Sequence, residues 1–282
     1  MHAKPSLRVV PETAAGVCPL VRWAGGKRWF VKEYGDDMFH RVIQRGGRYI
    51  EPFLGGGAMA LHLGLACMTL GDIEDELMVM YQAVRDDAEG LITLLSLMNE
   101  FPIEPKTYYA VRDAHPRTDL ETAARMLYLN SFCWNGVYRK NKAGVFNVPF
   151  GDGKGSLPKP DHVRAASRAL RGSRFYAGCD AIHLIDEAKD GDTIYADPPY
   201  DGTYSSYSAA GFDHRDQINL AKSLKRAWDC GVEIYAHNSD TELVRDLYSW
   251  AELVPMPERR AINSDSKARG KVPCVLIVGD QG

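Results

Sequence analysis

The tetrapeptide Asp197-Pro198-Pro199-Tyr200 is the part of this sequence best suited to chemistry. It follows the apolar run 193–196, where a buried strand would end in a rigid polar turn. Because proline fixes φ and has no N–H, the turn cannot pair with another strand. The Asp197 carboxylate and the Pro198 carbonyl can each accept one N–H of an exocyclic amine, while Tyr200 stacks on the attached heterocycle. A tight turn without a ligand is the alternative for an isolated Pro-Pro pair.

A second candidate site is the segment Tyr49 to Gly57, which ends in three glycines and precedes an apolar run, Ala58 to Leu65, that predicts a helix. A strand, a glycine loop and a helix open many nucleotide-binding folds, and the first N–H groups of such a helix attract anions. The glycine order differs from Gly-x-Gly-x-x-Gly, so a ligand-free turn is the alternative. Asp72 follows Gly55 by about 17 residues, near the spacing at which an acid meets ribose hydroxyls. The pair indicates an adenosyl ligand.

Taken in chain order, these motifs resemble those of the Dam-type DNA adenine-N6 methyltransferases (D12 class, alpha group), and the resemblance extends over most of the chain. The similar segments are Val21 to Lys27, Glu51 to Gly57, Asp72-Ile73, Leu129 to Arg139, Gly144 to Gly151, Asp197 to Tyr200, His237 to Thr241 and Arg259 to Ile262. Chance rarely produces so many matches in one order. The resemblance implies methyl transfer from S-adenosyl-L-methionine to the N6 amino group of a flipped adenine in a short duplex sequence.

The same resemblance assigns roles to individual residues. Asp197, Pro198 and Tyr200 are the expected catalytic residues. The expected cofactor-binding residues are Trp23, Lys27, Glu51, Pro52, Phe53, Gly55, Gly57, Asp72 and Asp180. For Lys27 the resemblance offers contact with the methionine carboxylate or organisation of the Asp197 region, and a surface lysine is the alternative. Beside Asp180, Ala181 departs from the phenylalanine usual in the family.

The resemblance also predicts residues that bind DNA, namely Asn135, Arg139, Asn141, Lys142 and Pro149. An arginine fork suits guanine O6 and N7, although Arg139 could instead bind only phosphate. Many GATC-specific relatives have a guanine-reading arginine where this chain has Asp152. Because an acid cannot donate to guanine O6 or N7, we expect a target that differs from GATC or is read more loosely.

Strand-like runs alternate with helical stretches, which predicts an α/β fold with a Rossmann-like methyltransferase sheet. The predicted strands are Arg48–Glu51, Met68–Asp72, Arg174–Ala177, Thr193–Ala196, Val232–His237 and Val272–Val278. Between residues 75 and 160 the alternation gives way to helix-rich sequence and a hairpin, 138–148, that turns at residues 142–144. We therefore predict a catalytic domain of residues 1–74 and 161–282, and an inserted target-recognition domain of residues 75–160.

Charge is unevenly distributed along the chain. The formal net charge is -3, yet residues 135–174 carry nine Lys or Arg against Asp152 and Asp161. A basic segment in an otherwise acidic protein favours contact with the phosphates of double-stranded DNA. A solvated helix face is the alternative for Arg164, Arg168 and Arg171, with Asp161 as the helix cap.

Composition excludes several other classes. No apolar run among the 282 residues is long enough to span a bilayer, and residues 1–5 lack a signal-peptide core, so we expect a cytoplasmic protein that does not bind membranes. The six cysteines and eight histidines show no metal-ligand spacing, so no metal is expected.

Cytosine-N4 and glutamine methyltransferases usually have Ser-Pro-Pro-Tyr or Asn-Pro-Pro-Tyr, so Asp197 favours adenine. An RNA adenine methyltransferase, an inactive DNA-binding or anti-restriction protein, a companion restriction endonuclease and any oligomeric state stay open.

Overall fold

The computed structural model describes residues 16–202, 212–260 and 271–280, without the side chains of 258–260 and 271–272. The strands within these ranges are β1 (Tyr49–Glu51), β2 (Met68–Asp72), β3 (Arg174–Ala177), β4 (Thr193–Ala196), β5 (Glu233–Ser239), β6 (Glu252–Arg260) and β7 (Lys271–Gly279). The helices are α1 (Arg28–Arg45), α2 (Ala58–Leu63), α3 (Asp75–Asp86), α4 (Ala88–Met98), α5 (Pro105–Asp113), α6 (Asp119–Phe132), α7 (Pro160–Ala169), α8 (Ala181–Asp186), α9 (His214–Asp229) and α10 (Glu242–Leu247), with a 3₁₀ turn at Trp134–Gly136.

The strands form one sheet in the order β3-β2-β1-β4-β5-β7-β6. The first five pair in parallel, whereas β7 is antiparallel to both β5 and β6. This arrangement confirms the predicted Rossmann-like methyltransferase sheet. The sequence prediction missed β6, which contains Pro255 and Pro257. Proline argues against a strand because it has no N–H to donate to the hydrogen bonds of the sheet. An edge strand tolerates proline, because one of its sides has no neighbouring strand.

The order of the strands brings the candidate motifs together. β1 pairs in parallel with β2 on one side and with β4 on the other, so their carboxyl ends lie at the same edge of the sheet. Glu51 ends β1, Asp72 ends β2 and Asp197 follows β4 directly. Ligands of open α/β sheets bind outside this edge, where the strand order reverses direction.

The helical block between β2 and α7 packs as a continuation of the catalytic core. Leu77 and Tyr81 of α3 and Leu129 of α6 are buried in the same hydrophobic cluster as Met59 and Leu70. Burial of apolar surface across this boundary stabilises both parts together. The division at residues 74/75 and 160/161 stays a prediction.

The predicted hairpin is present as a short antiparallel pair with one bridge, between Lys140 and Phe146. Its turn begins one residue earlier than predicted, because the Gly144 N–H donates to the carbonyl of Asn141 at 2.9 Å. The hairpin is attached to the helical block through the Tyr108 hydroxyl, which donates to the carbonyl of Val148 at 2.9 Å. Among the described residues, no helix has the length and apolar character needed to cross a membrane.

Candidate active site

The carboxylate of the Asp-Pro-Pro-Tyr turn is paired with a lysine from the N-terminal part of the chain. Lys27 Nζ donates to Asp197 Oδ2 at 2.5 Å and to the carbonyl of Gly25 at 2.9 Å. The same ammonium lies 5.2 Å from the centre of the Tyr200 ring. Lys27 is 7% exposed, so its charge is largely withdrawn from water. A buried cation with such partners fixes the carboxylate and the ring relative to each other.

A second group of polar side chains holds this turn from the other side. Gln217 of α9 donates through Nε2 to the carbonyl of Pro199 at 2.9 Å and accepts from Asn238 Nδ2 at 3.0 Å. Asn238 Oδ1 in turn accepts the Asp201 N–H at 2.8 Å. Gln217 and Asn238 are fully buried, and such satisfied networks are rigid. Sequence reasoning did not single out Gln217, and its one signal is an amide on the buried face of an amphipathic helix.

The glycine loop passes close to the indole of Trp23. Gly55 has φ +49°, and a Cβ added there would lie 2.9 Å from Trp23 Cδ1. Gly57 has φ +63°, and the carbonyl of the intervening Gly56 accepts the Tyr81 hydroxyl at 2.7 Å. Glycine is required at position 55 because a side chain would be strained and would collide with the indole.

Asp72 secures the loop through backbone contacts. Its Oδ2 accepts the Gly55 N–H at 2.8 Å, and its Oδ1 accepts the Glu74 N–H at 2.9 Å. Burial raises the pKa of Asp72 to about 6, against these hydrogen bonds, and the charge of Glu74 adds to the increase. Asp72 therefore both shapes the loop and presents an acid at the end of β2.

Glu51 is a buried carboxyl at the same edge of the sheet. It accepts the Tyr49 hydroxyl at 2.9 Å and is 2% exposed. Burial raises the pKa of Glu51 to about 8, and the charges of Asp197 and Asp72 add to this increase. At neutral pH the protein without ligands therefore holds Glu51 mostly in its neutral form.

One cavity of about 1070 Å³ joins these groups. Its wall contains, of the predicted site residues, Trp23, Lys27, Glu51, Phe53, Gly55, Gly57, Asp72, Arg139, Asp197, Pro198 and Tyr200. Pro52 is buried and Asp180 is exposed, and neither lies on the wall. Asp180 caps α8, where its Oδ1 accepts the Ile182 N–H at 3.0 Å. The cofactor roles of Pro52 and Asp180 stay predictions.

The predicted DNA-binding residues lie on the exposed side of the hairpin and the turn before it. Asn135 has φ +55°, a left-handed conformation that asparagine tolerates, and Arg139 Nε donates to Asn147 Oδ1 at 3.0 Å. Asn141 Oδ1 accepts the N–H groups of residues 143 and 145, so its oxygen stabilises the turn. Lys142 is exposed in that turn, and the exposed Pro149 accepts the N–H of residue 134 through its carbonyl at 2.9 Å.

Three further side chains lie in or next to the basic segment 135–174, namely those of Trp134, Lys140 and Arg164. Trp134 is 55% exposed beside Asn135, and the half-buried Lys140 lies on the cavity wall. Arg164 pairs with Glu89 at 2.7 Å and with Asp161 at 3.1 Å, which fits the solvated-face alternative. Asp161 lies in the first turn of α7 and does not cap it, because the cap position belongs to residue 159.

The comparisons with known proteins agree with this geometry. The sequence model of the D12 class N6 adenine-specific DNA methyltransferases matches residues 23–262. The chain is 29% identical to the type II methyltransferase M1.LlaDCHI of Lactococcus lactis subsp. cremoris over 96% of this chain and 98% of that protein. It is 30% identical to M.MjaIII of Methanocaldococcus jannaschii, over 90% and 95% of the two chains, and 32% identical to the retron Ec67 DNA adenine methylase of Escherichia coli, over 81% and 80%. The chain belongs to the D12 class of N6 adenine-specific DNA methyltransferases.

The described residues contain no cluster of three or more His, Cys, Asp or Glu side chains that could hold a metal ion.

Proposed function

We propose that this protein transfers the methyl group of S-adenosyl-L-methionine to the N6 atom of an adenine flipped out of a short duplex sequence. The observation that carries the proposal is the Lys27–Asp197 pair, which faces the same cavity as the glycine loop. The proposed catalytic carboxylate and the loop that suits an adenosyl ligand thus share one cavity. Membership of the D12 class identifies adenine as the base and DNA as the substrate.

The residues of the cavity fit the groups of the cofactor. Lys27 is a cation for the methionine carboxylate, Glu51 is a buried acid for the ammonium, and Asp72 is an acid for the ribose hydroxyls. The Gly55 loop lets the backbone approach, and Trp23 offers an aromatic face. A volume of about 1070 Å³ lies just above the usual range for ligand pockets, which leaves room for a base beside the cofactor.

The cofactor, when bound, supplies an electrophilic methyl group on a sulfonium. The protein must make a weak nucleophile reactive, because the lone pair of the adenine amine is delocalised into the ring. Asp197 and the Pro198 carbonyl accept the two amine protons as hydrogen bonds, which favours a tetrahedral nitrogen with its lone pair directed outward. Lys27 holds Oδ2 of Asp197, so Oδ1 is the oxygen we assign to the amine. Positioning and electrostatics are then the main catalytic contributions, and the amine proton leaves after the carbon–nitrogen bond has formed.

Tyr200 has a role before the chemical step. Unstacking and unpairing a base costs a few kcal/mol, and stacking of the flipped adenine on the Tyr200 ring offsets part of that cost. The Lys27 ammonium contacts the Tyr200 ring, and Gln217 donates to the carbonyl of the preceding Pro199. These two contacts keep the ring in place.

The decisive experiment is a methylome. We would express the protein in a bacterial host without adenine methylation and sequence the genomic DNA by a method that detects N6-methyladenine in context. We expect modification at one short motif, and an Asp197→Ala variant should lose it while still binding S-adenosyl-L-methionine in calorimetry. Unmodified DNA from a soluble wild type would count against the proposed function, and loss of cofactor binding in the variant would count against the role of Asp197.

The same experiment tests the target sequence. Asp152 is exposed in the loop after the hairpin, where its Oδ1 accepts the Lys154 N–H at 3.1 Å. A carboxylate at this position can accept from cytosine N4 but cannot donate to guanine. We propose a target that differs from GATC or is read more loosely, and strict modification of GATC would refute this.

A further inference from the structure

Lys140, directly before the turn of the hairpin, is bound to carboxylates beside the cavity. Its ammonium forms a short hydrogen bond with Glu74 and lies 3.4 Å from Glu76. The Lys140 and Glu74 side chains are only 21% and 15% exposed. A partly buried pair of this kind is far more sensitive to the loss of one partner than an exposed pair.

The contacts continue from Glu74 to the glycine loop. The Glu74 N–H donates to Asp72 Oδ1 at 2.9 Å, and Asp72 Oδ2 accepts the Gly55 N–H at 2.8 Å. Three consecutive polar contacts therefore lead from the hairpin to the loop that we assign to the cofactor. Lys140, Glu74, Asp72 and Gly55 all lie on the wall of the same cavity.

An aromatic contact runs beside this polar chain. The Tyr138 ring stacks on Trp23 with their centroids 5.5 Å apart, and its hydroxyl donates to Glu76 at 2.5 Å. Trp23 Cδ1 also lies 2.9 Å from the position that a Cβ on Gly55 would occupy. The hairpin is thus connected to the glycine loop through Glu74 and Asp72 and through Trp23, so a change in its position must alter one or both contacts.

We propose that Lys140 is a positioning residue whose ion pair with Glu74 couples duplex binding at the hairpin to cofactor binding at Asp72 and Gly55. The proposal rests on the proposed function. A duplex that fixes the hairpin also fixes Lys140 and Glu74, and thereby orders the Asp72 carboxylate before the cofactor arrives. Such coupling is reciprocal, so the cofactor strengthens duplex binding by the same factor.

The test measures the coupling factor directly. We would titrate S-adenosylhomocysteine, which cannot react, into the full-length protein by calorimetry, with and without a saturating duplex that carries the motif found in the methylome. We expect the duplex to tighten binding roughly 5- to 10-fold in the wild type. Lys140→Met should bring this ratio close to one, and Lys140→Arg should keep most of it. Lys222→Met removes the same charge from the exposed side of α9, at a residue outside the predicted site, and should keep the wild-type ratio.

A second variant, at the other partner of the ion pair, distinguishes loss of the pair from a folding defect. Glu74→Gln removes the other charge at nearly constant shape, and Lys140→Met combined with Glu74→Gln should lower the ratio no further than either change alone. A wild-type ratio in folded Lys140→Met or Glu74→Gln would overturn the proposal, as would equal loss in Lys222→Met. No S-adenosylhomocysteine binding by the wild type would overturn the proposed function, and this proposal with it.

Discussion

Lys27 and Asp197 are 170 positions apart in the sequence, and their side chains meet at 2.5 Å. The contact joins the segment before α1 to the turn after β4, with 8% and 19% of the two side chains exposed. The carboxylate that we propose accepts the amine is therefore held by a cation of the protein without any substrate. An ion pair so shielded from water is stronger than one on the surface.

Replacing Lys27 by methionine should slow methyl transfer by roughly 100-fold, because it removes an electrostatic contact at the reacting group. The same change should weaken cofactor binding, since Lys27 is also the cation we assign to the methionine carboxylate. Single-turnover rates and calorimetric titration of S-adenosyl-L-methionine separate the two effects. Lys32→Met is the matched control, because Lys32 is exposed on α1 and is not on the wall of the cavity, so the change should have little effect on the transfer rate. Equal effects of the two variants would contradict the role of Lys27.

Gly55→Ala should weaken cofactor binding at least tenfold without unfolding the protein. The added Cβ would strain a residue with φ +49° and would press on Trp23 at 2.9 Å, which displaces the wall of the cavity. Gly46→Ala is the control, because Gly46 also has positive φ, +71°, but has open space around its Cβ position. Both variants should lose about 1 kcal/mol of stability from backbone strain. Only Gly55→Ala should lose affinity in calorimetry, and parallel losses would show that strain alone is responsible.

The stability of the protein without ligands should depend on the protonation of Glu51. Its pKa is about 8 in the folded protein, against an ordinary value of 4.5, so the folded state keeps a proton that the unfolded state releases. Stability from this group is complete below the ordinary pKa and is lost as pH rises towards about 8. Relative to wild type, Glu51→Gln should gain on the order of 1 kcal/mol in unfolding free energy per pH unit within this window. Urea unfolding at about pH 5.5 and about pH 7.5 measures the difference, and a pH-independent difference would contradict it.

Arg139 and Lys142 should affect DNA binding in different ways. Arg139 Nε is bound to Asn147, which orients the guanidinium and leaves its two terminal amino groups as donors for a base. Arg139→Ala should cost about 1–3 kcal/mol on the target duplex and reduce discrimination against altered sites. Lys142→Ala should weaken all duplexes alike and lower the slope of log affinity against log salt by about 1. The affinities of both variants for a target duplex and a scrambled duplex, measured at several salt concentrations, test both predictions. If Arg139→Ala lost equal affinity for the two duplexes, Arg139 would contact only phosphate.

The sheet and the main motifs could be predicted because they depend on local signals. Apolar runs marked the five parallel strands and β7, and Asp72 and Asp197 follow such runs directly. In a parallel sheet the carboxyl ends of all strands lie at one edge, so residues that end or directly follow different strands meet there. β6 was not predicted because Pro255 and Pro257 argue against a strand in the sequence, although an edge strand tolerates proline.

The contacts that hold the site depended on long-range packing. Gln217 reaches Pro199 and Lys140 reaches Glu74 only once helix and sheet, or hairpin and helix, have come together. Nothing near these residues in the sequence distinguishes such an amide or lysine from one in solvent. The pairing of Lys27 with Asp197 rather than with solvent depended in the same way on the position of α1 beside the sheet.

The fluorescence of Trp23 can also report on the cavity. Its indole is half-buried, stacks on the Tyr138 ring and lies close to Gly55, so its emission reports on the polarity and the quenching groups around it. A ligand that enters beside the glycine loop must alter that environment, and movement of the hairpin must alter the stacking. The protein therefore carries a native fluorophore at the junction of the two surfaces that we propose for the cofactor and for DNA. Because the sequence has five tryptophans, the difference in stopped-flow emission between wild type and Trp23→Phe would time cofactor entry and hairpin movement without any attached label.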